Sequence, residues 1–152
     1  MTIGLEFVME ARVTTNSEVQ ELGMTPKGRR RIIHITGGAF EGPNIKGNVL
    51  PGGADWQLIR SDGVKEIVAR YTLQTDDGCM INVVNRGVLI DPNQEIEKLK
   101  KGEYVSPEAY YFRTTPTFEA AGETYAWLNR PLFVGIGEPN STGVMIKFYQ
   151  VT

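Results

Sequence analysis

Asp55, Arg70 and Asn85 recur at equal intervals along the chain, and their types suit them for chemistry. Each sits in an alternating apolar/polar run, and the runs are separated by Ser61-Asp62-Gly63 and Asp76-Asp77-Gly78. Asp-Gly between alternating runs is the strongest short-range hairpin signal. With two-residue turns, Ser61 faces Val64 and Asp76 faces Cys79. Counting outward then sets Asp55 opposite Arg70 and Arg70 opposite Asn85. The three form a cross-strand row with neighbouring β-carbons about 5 Å apart. A carboxylate, a guanidinium and an amide in line would orient an anionic or carbonyl ligand. Arg70 would bind an acid or enolate oxygen, Asn85 would hydrogen-bond it, and Asp55 would act as base. The competing reading makes Asp55–Arg70 an exposed, strand-locking ion pair worth at most about 1 kcal/mol. A one-residue bulge would invert the facing of the row. Gly52-Gly53, just before Asp55, carry no side chains and would leave room for an approaching group.

Two aromatic groups are further candidates for ligand contact. Tyr111 and Arg113 share a strand face by alternation, and Trp127 lies near Asn129. Aromatic walls with few polar groups suit a small-molecule pocket, and they equally suit a barrel core with a surface arginine. His34 is the single histidine and Cys79 the single cysteine, so no His/Cys metal cluster is available and no metal site is expected. A Cys79–His34 dyad would need a coincidence of folding. The glycine-rich stretch from Ile35 to Arg60 lacks the lysine-hydroxyl ending of a phosphate loop, a following helix and any βαβ context. Nucleotide binding is rejected, and no cofactor is expected.

The elements that must hold these residues are strands. Period-two alternation marks residues 3–14, 29–36, 54–60, 64–75 and 79–90, the last three forming a meander. Further strands are expected around Tyr110–Arg113, over Leu132–Ile136 and over Val144–Val151. The segment 16–27 reads as a connection, and the three arginines at 29–31 as a solvated strand entry. Asn93–Lys101 is the one candidate helix, with Gly102 at its stop. Eight to ten antiparallel strands with at most one short helix describe an all-β barrel, the glycine-marked corners favouring a barrel over a sandwich. A length of 152 residues fits one domain over 1–152. A net charge of −2 gives no reason to expect nucleic acid or an anionic membrane surface. With no long apolar run, no signal-peptide core and one cysteine, cytoplasmic residence is the expectation.

The motifs GRRRIIHITGGAFEGP, GNVLPGGADWQLIRSDG, ARYTLQTDDGCMINVVNRG, YYFRTTPTFE, YAWLN and LFVGIG occur in order over nearly the whole chain. In them the sequence resembles the domain-of-unknown-function 3237 family. The resemblance implies a small antiparallel barrel, similar to allene oxide cyclase and dirigent proteins, which commonly assembles into oligomers. It implies no established activity and no catalytic set. Related barrels bind hydrophobic or phenolic molecules and steer cyclisation or coupling with few catalytic side chains. The leading functional expectation is therefore a small-molecule-binding barrel acting as an isomerase or cyclase on a carbonyl or phenolic compound. Its rival is a structural or regulatory interaction module with a solid interior. An interior cavity of roughly 300 Å³ or more with convergent polar groups separates the two. The short strands and the apolar face of the meander further suggest a homodimer or larger homo-oligomer.

Overall fold

The computed structural model describes residues Met1–Thr152. It is all-β, as the sequence indicates. The strands are β1 (Leu5–Thr15), β2 (Gln20–Thr25), β3 (Gly28–Glu41), β4 (Lys46–Val49), β5 (Ala54–Ile59), β6 (Lys65–Thr75), β7 (Met80–Ile90), β8 (Tyr111–Ala120), β9 (Phe133–Pro139) and β10 (Gly143–Val151). One short helix, α1 (Ile96–Lys100), falls inside the expected segment. It is not long and apolar enough to cross a membrane.

All pairings are antiparallel, running β1-β10-β9-β8-β7-β6-β4-β3, and β1 pairs with β3 to close the barrel. Ten strands fit into eight positions because two positions are each shared by two strands. Along one edge of β3, β1 covers Ile35–Glu41 and β2 covers Gly28–Ile32. Along the other, β4 covers Ala39–Glu41 and β5 covers Arg29–His34. Both neighbours are interrupted near Ile35, where Asn16 N–H bonds to the His34 carbonyl and Ile35 N–H to the Gly53 carbonyl. Here β3 bends through Gly37 and Gly38, whose φ values of 151° and 135° are open chiefly to glycine. A β-carbon on Gly38 would also strike the Arg12 carbonyl oxygen.

One local expectation is corrected. Gln20–Thr25, read as connection, is a strand, because the hairpin partner β3 supplies the ladder that its mixed polarity does not advertise. Residues 126–129 form a 3₁₀ turn, and Asn129 fastens it by accepting from Ala120 N–H (2.7 Å) and donating to its carbonyl (2.9 Å).

The two ends of the barrel differ. One is plugged by Phe118, which meets Phe133 and Phe148 edge-on at centroid distances of 5.0 and 5.4 Å, together with Met9, Phe40, Leu73 and Ile81. Each such aromatic pair adds about 0.5–1.5 kcal/mol beyond area burial. At the other end, where β5 and β7 finish and β6 starts, the interior is open.

Candidate site at the open end of the barrel

The hairpin turns decide which residues reach this interior. Arg60 N–H bonds to the Val64 carbonyl and Thr75 N–H to the Cys79 carbonyl, both at 2.9 Å, so each loop holds three residues instead of two. Gly63 (φ 88°) and Gly78 (φ 91°) take the left-handed position that such loops require. Each hairpin therefore slips by one residue relative to a two-residue turn. Asp55 pairs with Ala69, and Ala69 with Asn85. The two slips cancel across the meander: Asp55 and Asn85 stay aligned, and Ala69 replaces Arg70 between them.

The slip also selects the face. Along β6, Ile67, Ala69, Tyr71 and Leu73 are buried, whereas Arg70 is exposed on the outer wall. Arg70 is thus no member of the row, and no Asp55–Arg70 ion pair exists. The face expected to be uniformly apolar is divided, with Ala69, Tyr71 and Leu73 inside and Trp56 and Val84 outside. Tyr111 and Arg113 also lie on the outer wall, Arg113 Cζ standing 5.2 Å from the centroid of the Tyr111 ring. Trp127 packs against the core from the 3₁₀ turn and does not line the cavity. Gly53 serves chain packing, because a β-carbon there would lie 2.7 Å from Tyr71 Cβ. His34 is exposed, with Nε2 2.7 Å from Gln20 Oε1, while Cys79 sits beside the turn at the far end of β6–β7; they form no dyad.

The cavity at the open end has a volume of about 330 Å³. Apolar walls come from Val13, Ile35, Ile67, Leu89, Phe112 and Ile146, and polar groups from Asp55, Gln57, Tyr71 and Asn85. Asn85 is 0% exposed, and neither of its amide atoms has a hydrogen-bond partner in the protein; the Tyr71 hydroxyl is buried and equally unmatched. Buried polar groups are nearly always paired, so these are exceptions that need a reason. Asp55 and Asn85 are two strand spacings apart, about 9.5 Å. Only the methyl of Ala69 lies between them, which leaves a slot where an arginine would have filled the space.

Asp55 is anchored by two hydrogen bonds. Its Oδ1 accepts from Val68 N–H (3.1 Å), and its Oδ2 accepts from Gln57 Nε2 (3.4 Å). Gln57 Oε1 in turn accepts from Arg31 Nε (3.0 Å) and Arg31 Nη2. Burial pushes the Asp55 carboxyl up to about 6, against the smaller opposing pull of these hydrogen bonds and of Arg31. Burial alone raises the Tyr71 phenol, which stays protonated as a donor. At the mouth, burial lowers Arg31 and Lys65 below their ordinary values.

Arg31, Gln57, Tyr71 and Lys65 escape the hairpin argument. For Arg31 a signal was present: it has the same parity as Ile33 and Ile35, so strand alternation alone puts it on their inward face.

Comparison with known proteins agrees with this architecture. The family profile described as "Protein of unknown function (DUF3237)" matches residues 3–151. A UPF0311 protein of Clostridium acetobutylicum is 44% identical over 125 residues, covering 82% of this chain and 79% of the relative. The crystal structure of a conserved protein of unknown function from Rhodopseudomonas palustris superposes with a TM-score of 0.90 at 39% identity, covering 100% and 99% of the two chains. An enzyme from Penicillium herquei shares the fold at a TM-score of 0.74 and 23% identity, over 100% of this chain and 96% of its own.

Proposed function

The chain belongs to the DUF3237 family of proteins of unknown function, and we propose that it binds a small carbonyl or phenolic compound in the open end of its barrel and isomerises it by proton transfer. One observation carries this reading: buried, unmatched hydrogen-bonding groups on Tyr71 and Asn85 share a cavity of about 330 Å³ with a half-buried carboxylate. That volume lies within the range of small-molecule sites.

In the proposed step Asp55, ionised above its raised value near 6, takes a proton from the carbon next to the substrate carbonyl. The C–H bond breaks and its electron pair becomes the enolate π system. Charge collects on the carbonyl oxygen, which accepts from the Tyr71 hydroxyl and the Asn85 amide. Asp55 then returns the proton to a different carbon of the conjugated system, so the reaction is redox-neutral and consumes no co-reactant. Asp55 is the catalytic residue in this scheme; Gln57 and Arg31 are positioning residues that hold its carboxyl.

Native mass spectrometry of protein purified from its own cell extract tests the reading. A small molecule should be retained, and Ala69→Trp, which blocks the slot, should abolish it. A packed, ligand-free protein that also fails to bind 2-naphthol at millimolar concentration would overturn the proposal and favour an interaction module.

A further inference from the structure

The ionisable groups lining the cavity are unbalanced. Arg31, Lys65 and Lys100 surround its mouth, and Asp55, deeper inside, is the one carboxylate of the lining. None of the three cations lies within 4.0 Å of an acidic oxygen. Arg31, half-buried, donates from Nε and Nη2 to a neutral acceptor, Gln57 Oε1, which leaves its other guanidinium protons free. Asp91, on the β7–α1 connection, has both oxygens committed to the start of α1, accepting from Glu95 N–H (2.9 Å) and Ile96 N–H (3.0 Å). Asp62, Asp91 and Glu97 line an adjoining groove shared with Arg29, Arg31 and Lys65, and Glu97 acts on Arg31 and Lys65 through space without an ion-pair contact. A guanidinium brought this far out of water with no carboxylate in hydrogen-bond contact is costly, and an anionic ligand oxygen would compensate it with charge-assisted hydrogen bonds.

Resting on the binding reading above, we infer that the compound this cavity takes is an organic acid, held with its carboxylate on Arg31, Lys65 and Lys100 at the mouth and its reacting carbon at Asp55. Arg31 is level with Gln57 in the β3–β5 register, two residues along the strand from Asp55. The carboxylate therefore sits roughly 7 Å from the level of Asp55. This separates recognition from chemistry. The mouth discriminates by charge, and the slot over Ala69 receives the uncharged part. It also keeps the ligand's charge away from Asp55, with which it would otherwise compete.

A matched pair of probes tests the inference: 1-naphthaleneacetate and its uncharged isostere 1-naphthaleneacetamide, titrated calorimetrically at pH 7.5. The acid should bind about tenfold or more tightly than the amide, the scale of one charge-assisted hydrogen bond. In the double variant Arg31→Met, Lys65→Met the ratio of acid to amide affinity should fall to about one, with an unchanged far-ultraviolet circular dichroism spectrum and a cooperative melt showing that the barrel is intact. Ala69→Trp should abolish binding of both probes. Equal binding of acid and amide by the unmodified protein, or a preference that survives the double variant, would overturn the inference and leave cavity binding standing. Binding of neither probe, or binding indifferent to Ala69→Trp, would instead remove the cavity reading on which it rests.

Discussion

Replacing Asn85 with leucine should stabilise this protein and destroy its ligand site together. The side chain is fully buried, and both amide atoms lack a protein partner. An unsatisfied buried amide costs about 1–3 kcal/mol, which the substitution recovers. Leucine is slightly larger, and the adjoining cavity of about 330 Å³ accommodates it without displacing β6 or β8. Water entering the cavity satisfies part of the amide's capacity, so a net gain of about 2 kcal/mol is expected. For a chain of this length that raises the melting temperature by about 4–8 °C. The assay is urea unfolding followed by far-ultraviolet circular dichroism, with an unchanged m-value showing that the same surface is exposed. Binding of 2-naphthol should fall at the same time, the usual exchange of stability for a functional polar group. A loss of more than about 1 kcal/mol would refute the reasoning. It would mean that Asn85 is matched and structural and that no oxygen of a ligand is needed to explain it.

Two further outcomes follow from the same geometry. Asp55 is held above its ordinary value of 3.8, at about 6, so the folded state binds its proton more tightly than the unfolded chain does. Its contribution is therefore fully present below pH 3.8 and is lost as pH rises through 6, a fall of about 3 kcal/mol at about 1.4 kcal/mol per unit. Urea midpoints between pH 4 and 7 should show this fall in the unmodified protein and not in Asp55→Asn; parallel curves would show that the carboxyl is not desolvated. Arg70→Met, on the outer wall, should change stability by less than about 0.5 kcal/mol and leave 2-naphthol binding intact, and a lost ligand would put the register of β5, β6 and β7 in error.

Much of this protein was legible from its sequence, and what was legible was local. Alternation from Ile67 to Leu73 and from Ile81 to Val83, punctuated by Asp-Gly pairs, specifies strands and hairpins through interactions within a few residues of chain. The ordered family motifs fix the family, and with it the barrel. The pairing of Asp55 with Asn85 across β6 was also recoverable, although for an incomplete reason: two turn errors of one residue each cancelled. Which residue stands between them was not recoverable. That depends on Asp62 and Asp77 staying at negative φ while Gly63 and Gly78 alone turn left-handed, so that each loop closes with three residues instead of the two of a type I′ turn, leaving Ala69 inward and Arg70 outward. The inward face is in turn defined by closure of β1 onto β3, a contact between segments distant in sequence. Arg31, Lys65 and Lys100 come from three separate segments, and no spacing within one of them announces that they share a mouth. The sequence by itself determined most of the strands, the places of the turns and the family, because backbone preference and side-chain period act over short range. The cavity, the unmatched Asn85 and the cationic mouth were decided by tertiary structure, because burial and electrostatic neighbourhood exist only once the barrel is closed.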